Sequence, residues 1–239
     1  MEAIRQILNK IDNPEMLDIA TGSGHFLDHV ASMKLDRGNG MSVGVDTSSV
    51  HIEKAKEIHK DKNYEFMVMD GHHLLFEEDR FDVVMISNSL HHMERPEMVL
   101  KEMIRVLKKE GLLIIYEMVS DQLTPMQETH KLLHHYWAKV DRLTGICHQE
   151  TYSRSDLLSL ISVHLELEEV HAEIIEDIVE DSAEMHQTLI NAMDSYLKKS
   201  EPLPDYPSLK AENELLLERI DQIGFALAPE YLLIFKKTS

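Results

Sequence analysis

The sequence predicts an α/β protein with a mostly parallel sheet, and three observations lead to this fold class. Short apolar segments alternate with amphipathic helical segments through the first half of the chain. The apolar segments are mostly continuous runs, which is typical of parallel strands covered by helices on both faces. A glycine turn follows the first apolar segment, where a strand passes into a helix. The predicted strands are residues 16–20, 42–46, 64–69, 81–86 and 112–118.

The helices between these strands are predicted from apolar residues that recur three and four positions apart. Ser48 or Ser49 suits the N-cap of the third helix, and Pro96 suits the first turn of the fourth. Gly111 is expected to end the fourth helix. The predicted helices are residues 2–11, 24–35, 48–60 and 96–109, with a turn signal at 37–40.

The alternation of strands and helices stops near residue 121. Helical patterns cover residues 124–141, 155–162, 181–199 and 208–223, and strand-like patterns cover 165–175 and 231–236. We interpret the added helices as insertions into a single domain rather than a second domain. The predicted organisation is one domain over 1–239, with a core at 14–120 and a helical cap from 1–13, 121–155 and 181–225.

Composition limits the class of partner. The chain has 24 basic and 43 acidic residues, and the net charge of −19 argues against nucleic acid or an anionic membrane as a partner. We find no apolar run long enough to cross a bilayer. Cys147 is the single cysteine, which fits a reducing cytoplasm. A small-molecule partner is therefore expected, and the oligomeric state stays open.

The turn after the first strand is the candidate cofactor site. Gly22 and Gly24 let the backbone turn sharply and let a ligand approach closely. A dinucleotide-binding turn would favour a small residue where this chain has Leu27, and Asp18 would repel a pyrophosphate. Leu27 and Asp18 together favour S-adenosylmethionine (SAM), which has a cationic amino-acid tail and no phosphate. An NAD-dependent enzyme, or a tight turn without a ligand, remains an alternative.

Polar residues follow the next three predicted strands. Asp46 ends the second strand, where an acid can accept hydrogen bonds from both ribose hydroxyls. Asp70 and Gly71 follow the third strand, where a carboxylate could accept from an adenine amino group. Asn88 follows the fourth strand. Because parallel strands end at one edge of the sheet, these residues are expected near the glycine turn. Each aspartate could instead be an ordinary cap or turn residue.

Taken together, these motifs resemble the class I SAM-dependent methyltransferases, and within them the small-molecule group related to ubiquinone and menaquinone biosynthesis. The resemblance covers about residues 14–120. It implies a Rossmann-like seven-stranded sheet whose last strand, residues 231–236, is antiparallel and lies between strand five and residues 165–175. The matching positions are residues 17–26, Asp46, Asp70 with Leu74 and Phe76, and residues 81–84, 90–92 and 107–111.

The resemblance also implies roles for individual residues and an activity. The activity is transfer of a methyl group from SAM to a small molecule, with a non-catalytic SAM-binding or scaffold protein as the alternative. The implied cofactor contacts are Asp18 at the methionine end, Ala20, Gly22 and Gly24 around the amino-acid tail, Asp46 at the ribose, Asp70 and Gly71 at the adenine, and Asn88 beside the methionine moiety, with Thr47 as a further cofactor contact.

Histidines are the candidates for proton transfer. His92 and His148 are possible general bases near the methyl acceptor, although each could equally be a structural histidine. The chain has fifteen histidines, several of them in adjacent pairs such as His91-His92. Adjacent side chains are expected to diverge, and no spacing matches a known metal site, so no metal is predicted.

The cap is expected to cover the sheet edge and exclude water from the acceptor. On this interpretation it encloses a pocket that touches Gly22, Asn88 and at least one of Tyr136, Trp137 or His148.

Overall fold

The computed structural model describes residues 1–34, 40–176 and 183–238. Parts of the predicted turn at 37–40 and of the predicted cap segment 181–225 fall outside these ranges. The described residues form one seven-stranded sheet with the order β3-β2-β1-β4-β5-β7-β6. The strands are β1 (Met16–Ile19), β2 (Ser42–Asp46), β3 (Tyr64–Val68), β4 (Phe81–Ser87), β5 (Leu107–Met118), β6 (Leu167–Ile175) and β7 (Glu230–Lys237).

The direction of the strands confirms the predicted topology. Neighbours among β1 to β5 pair in parallel. Strand β7 pairs antiparallel with β5 on one side and with β6 on the other. The last strand therefore lies where the sequence resemblance placed it.

Eight α-helices accompany the sheet in the described part of the chain. They are α1 (Glu2–Leu8), α2 (His25–Ser32), α3 (Ser49–Ile58), α4 (Pro96–Val106), α5 (Pro125–Leu143), α6 (Arg154–Ser162), α7 (Ala183–Ser200) and α8 (Tyr206–Ile223).

The junction between α4 and β5 differs from the prediction. Helix α4 ends at Val106, and the strand begins at Leu107 rather than after Gly111. Leu107 is fully buried and pairs with Phe81 of β4. Glu110, just before Gly111, has a φ of +63°, so the chain changes direction within the strand. Burial and pairing of Leu107 outweigh the helical pattern of residues 107–109.

The two faces of the sheet are covered by different helices. Val84 and Ile86 of β4 face the cluster that contains apolar residues of α4 and α6. Val83 and Met85, on alternate positions, face α1, α2 and α3. Residues 2–8 of the predicted cap thus pack on this second face, through the buried Ile4.

A third cluster joins α5, α7 and α8 to one another. Its centre is the fully buried Tyr136 with Leu133 and Met193, and Trp137 stacks on Tyr196 at 5.7 Å between ring centroids. The backbone N–H of Ala228, just before β7, donates to the His130 ring at 2.8 Å. This contact holds α5 beside the start of β7. None of the helices in the described ranges is long and apolar enough to cross a membrane.

Candidate functional site

A cleft of about 720 Å³ opens at the carboxyl ends of the parallel strands. It lies where β1 neighbours β4 and the strand order reverses, which is the usual ligand position in an open α/β sheet. Its volume is within the range of small-molecule sites. The lining residues are Ile19, Ala20, Gly22, Asp46, Thr47, Ser48, His51, Met69, Asp70, Gly71, His72, Asn88, Ser89, His92, Met93, Glu94, Arg95, Ile146 and Cys147.

The glycine turn after β1 presents its backbone to this cleft. Ala20 and Gly22 both have positive φ, at +54° and +55°. A Cβ added at Gly22 would meet no atom within 4 Å, whereas one at Gly24 would lie 2.8 Å from the Phe66 ring. Gly22 therefore leaves room for a ligand, and Gly24 leaves room for packing. Gly24, a predicted cofactor contact, is not among the lining residues.

Asp46 connects the end of β2 to the glycine turn. Its Oδ2 accepts from the backbone N–H of Gly22 at 2.9 Å, and its Oδ1 accepts from that of Ser48 at 2.8 Å. An ionised carboxylate has about four lone-pair positions, so both oxygens can accept further hydrogen bonds. The exposed Thr47 lines the cleft beside it. The structure thus brings Asp46, the predicted ribose residue, and Thr47, a further predicted cofactor contact, to the cleft.

Asp70 lines the cleft just after β3. Its Oδ1 accepts from the backbone N–H of His72 at 2.9 Å and lies 2.7 Å from Nδ1 of the same residue. The His72 backbone hydrogen bond, supported by the His72 ring, lowers the pKa of the Asp70 carboxyl. Gly71 also lines the cleft, and a Cβ there would lie 2.9 Å from Ile19.

Asn88 lines the cleft, and its side chain is held by hydrogen bonds to neighbouring strands. Its φ of +44° is strained for a residue other than glycine. The side-chain Oδ1 accepts from Met118 N–H at 2.7 Å, and Nδ2 donates to Glu230 Oε1 at 3.0 Å. The side chain therefore ties β4 to β5 and β7, while the residue as a whole lines the cleft.

Asp18 lies beneath the turn and is not among the residues that line the cleft. It is 1% exposed, and the Thr21 hydroxyl donates to its Oδ2 at 2.6 Å. Within the described residues, its buried Oδ1 has no hydrogen-bond partner. Burial raises the pKa of Asp18 to about 7, and the negative Asp46 acts in the same direction. Asp18, which the resemblance assigns to the methionine end of SAM, is thus a buried carboxyl below the glycine turn.

Four histidines cluster at one wall of the cleft. His91 and His92 lie in a single 3₁₀ turn (Leu90–His92) after β4, His134 lies on α5, and His148 follows α5. The ring centroids of His91 and His92 are 4.3 Å apart, so the expectation that adjacent histidines diverge is wrong here. The reason is that the pair lies in a tight turn, where side chains do not alternate as they do in a strand.

The two predicted bases have different positions in this cluster. His92 lines the cleft. His148 is 4% exposed and packs behind His92, with 4.0 Å between ring centroids. Desolvation lowers the pKa of both imidazoles, and the neighbouring His91 adds to this effect. Of the two residues, only His92 is placed to meet an acceptor in the cleft.

Two carboxylates orient the cluster, and neither was predicted. His91 Nδ1 lies 2.6 Å from Glu117 Oε1, and His148 Nδ1 lies 2.6 Å from Asp141 Oδ2. Glu117 is fully buried on β5, and Asp141 is 6% exposed on α5. Glu117 lies within an otherwise ordinary apolar pattern, so the sequence carried no signal of its pairing with His91.

The cap residues at the cleft also differ from those expected. Ile146 and Cys147 line it, whereas Tyr136, Trp137 and His148 do not. Tyr136 and Trp137 belong to the packing of α5 against α7 and α8. The predicted contact of the pocket with one of these three residues is therefore wrong, although Gly22 and Asn88 do line it.

Comparison with known proteins identifies the family. A model of the methyltransferase domain matches residues 11–192. The chain belongs to this methyltransferase family. The demethylmenaquinone methyltransferase of Thermotoga maritima is 36% identical over 108 residues, which are 45% of each chain. The ubiquinone/menaquinone biosynthesis C-methyltransferase of Rickettsia bellii is 31% identical over 135 residues, or 54% of each.

The chain spans about half the length of these curated methyltransferase relatives. A solved structure from Bacillus halodurans matches 100% of this chain and 98% of its own length, with a TM-score of 0.68 and 19% identity. At that identity the match shows the fold alone. The family model and the two curated relatives confirm the predicted resemblance to methyltransferases of the ubiquinone and menaquinone type, and the solved structure confirms the predicted fold class.

Proposed function

We propose that this methyltransferase transfers a methyl group from SAM to a small-molecule acceptor bound in the cleft. The observation that carries the proposal is the open glycine turn. Gly22 faces the cleft with no atom where a Cβ would lie, and Asp46 holds its N–H at 2.9 Å. Family membership and the named activities of the relatives support the same function.

The residues of the cleft fit SAM in charge and in placement. The backbone of Ala20 and Gly22 would hold the amino-acid tail, Asp46 the ribose hydroxyls, and Asp70 the adenine amino group. When bound, SAM supplies a methyl group on a positively charged sulfonium. Asp46, Asp70 and Glu94 outnumber Arg95 among the charged lining residues, and this excess of acids favours such a cation and opposes a pyrophosphate. This preference argues against the NAD alternative.

The remaining task of the protein is to position the acceptor and exclude water. Correct alignment of two reactants can supply roughly 7–11 kcal/mol of the barrier. Met93, Ile146 and Cys147 give one side of the cleft an apolar and adaptable lining. His92, at the wall, is the residue we propose to accept a proton where the acceptor carries one.

Two further assignments belong to this proposal. The quinone precursors for which the relatives are named are the first acceptors to assay. A cytoplasmic location stays a prediction that rests on the use of a single cysteine, Cys147.

The Asp46→Asn variant tests the ribose contact. The amide keeps the size of the side chain but removes the charge and half of the acceptors, so SAM binding should weaken by roughly 1.5–3 kcal/mol, or about ten- to more than a hundredfold. Titration calorimetry with SAM measures the affinity, and NADH is titrated in parallel. Asp61→Asn, a change at an exposed aspartate outside the cleft, is the matched control.

Two outcomes of this titration would contradict the assignment. Unchanged SAM affinity in Asp46→Asn would remove Asp46 from the ribose site. Tighter binding of NADH than of SAM to the unmodified protein would overturn the cofactor itself.

A further inference from the structure

The four-histidine cluster can do more than line the cleft. One ring nitrogen from each of His91, His92, His134 and His148 lies within 4.8 Å of the others. Four imidazoles brought together from three separate segments of the chain form a set of neutral nitrogen donors. We propose that this cluster binds one divalent transition-metal ion of the Zn²⁺ class.

The spacing of the nitrogens suits a tetrahedral ion. Zinc–imidazole bonds of 2.0–2.1 Å place neighbouring ligand nitrogens roughly 3.3–3.4 Å apart in a tetrahedron. The Nε2 atoms of His134 and His148 are 3.4 Å apart. Since all four nitrogens lie within 4.8 Å of one another, no pair must close by more than roughly 1.5 Å to reach this geometry. His92 is the exposed member of the set, so its ring can move with the least disturbance of the packing.

Two of the histidines are hydrogen-bonded to carboxylates, which is a second argument for a metal site. Metal-bound histidines commonly donate their other ring N–H to a carboxylate, which fixes the tautomer and the ring orientation. Glu117 accepts from His91 Nδ1 and Asp141 accepts from His148 Nδ1, each at 2.6 Å. In a neutral imidazole whose proton is on Nδ1, the Nε2 atom carries the lone pair that a metal ion binds.

The carboxylates are themselves held in place. Glu117 also accepts from the backbone N–H of Leu90 at 3.0 Å, at the start of the turn that carries His91. Asp141 is bonded to Lys199 and, at 3.3 Å, to the Tyr196 hydroxyl, both on α7. Such support on both carboxylates is expected of a built ligand site rather than of a chance contact.

A bound ion would add a link between three segments of the fold that already contact one another through hydrogen bonds such as Arg142 to the His148 carbonyl and Gln149 N–H to the His91 carbonyl. The ligands come from the turn after β4, from the middle of α5 and from the segment after α5. Four imidazoles fill a tetrahedral shell, so the geometry indicates a structural ion. The ion would occupy the basic nitrogen of His92, so His92 would accept a proton from the acceptor only in the metal-free protein. It would fix the wall of the cleft that carries His92 and Cys147.

The test uses the full chain without a polyhistidine tag, because a tag would itself bind the metal. Mass spectrometry of the elements measures zinc after gel filtration, and chelated protein is then titrated with Zn²⁺ against a chromophoric chelator. We expect one equivalent per chain. Co²⁺ in place of Zn²⁺ should give the intense visible bands of a tetrahedral nitrogen site, a readout that needs no mutation.

Variants locate the ion. His134→Gln and His148→Gln should each weaken Zn²⁺ binding at least a hundredfold. His135→Gln, a change at the next residue on α5 whose ring contacts Thr151 instead, should leave it unchanged. Glu117→Gln and Asp141→Asn, which keep all four histidines, should weaken it by about ten- to a hundredfold. These two carboxylate variants also test the proposal if a histidine variant fails to fold.

The proposal is overturned if the unmodified protein neither retains zinc nor binds Zn²⁺ or Co²⁺ with one-to-one stoichiometry. It is also overturned if the His134→Gln/His148→Gln double variant binds Zn²⁺ as tightly as the unmodified protein. Calorimetric SAM binding is measured on the same samples. Metal binding without SAM binding would contradict the proposed function alone, and the reverse result would contradict the metal site alone.

Discussion

Replacing Gly22 with alanine is expected to weaken SAM binding at least a hundredfold while the protein stays folded. Gly22 lines the cleft, and its Cβ would enter space that no protein atom occupies. That space is where we place the amino-acid tail of the cofactor. The positive φ of +55° costs an alanine about 1–2 kcal/mol, which a domain of this size tolerates. Calorimetry measures the affinity, and thermal unfolding measures the stability.

Gly145 offers a matched control because it shares the backbone features of Gly22 but not its location. Its φ is +85°, a Cβ there would also meet nothing within 4 Å, and it does not line the cleft. Gly145→Ala should therefore show a similar loss of stability and unchanged SAM affinity. Equal SAM affinity in the two variants would contradict our placement of the cofactor.

The Asp18→Asn variant should gain stability over the natural protein as the pH rises. Burial raises the pKa of Asp18 from 3.8 to about 7, so between these values the folded state holds a proton that the unfolded state releases. The stability that this proton supports is lost as the pH rises from about 4 to about 7. The full difference is on the order of 4 kcal/mol. The variant, whose amide does not ionise, does not lose this stability.

Urea unfolding at a series of pH values from 5 to 9 measures the effect, with the unfolding free energy of the variant compared with that of the unmodified protein. Contributions from other titrating groups cancel in this comparison. The advantage of the variant should grow up to about pH 7 and then level off. A flat profile for Asp18→Asn would contradict the buried, raised-pKa carboxyl.

The sheet was predictable because its strands carry their own signal. Buried parallel strands such as β4 are continuous apolar runs, and the glycines after β1 mark a turn that the backbone requires. Residues after parallel strands must meet at one edge, so Asp46, Asp70 and Asn88 were predictable as neighbours. The role of each glycine was not, because Gly24 packs against Phe66, which is distant in sequence.

The histidine cluster was not predictable for a related reason. His91 and His148 are brought together by the packing of α5 at the sheet edge, and each takes its orientation from a distant carboxylate. Glu117 looks like an ordinary strand residue in the sequence. The cap residues that line the cleft were not predictable either. Tyr136 packs the added helices against one another, and the sequence alone does not separate that role from a place in the cleft.

Transfer of a labelled methyl group tests the central claim most directly. The protein is incubated with a metabolite extract and SAM that carries a trideuterated methyl group, and the products are resolved by mass spectrometry. We predict that the unmodified protein and Gly145→Ala both form a labelled small molecule. With Gly22→Ala, the amount of labelled product should fall in proportion to the loss of SAM affinity. SAM binding without any labelled product, from the extract or from added quinone precursors, would contradict the assignment of the chain as a small-molecule methyltransferase.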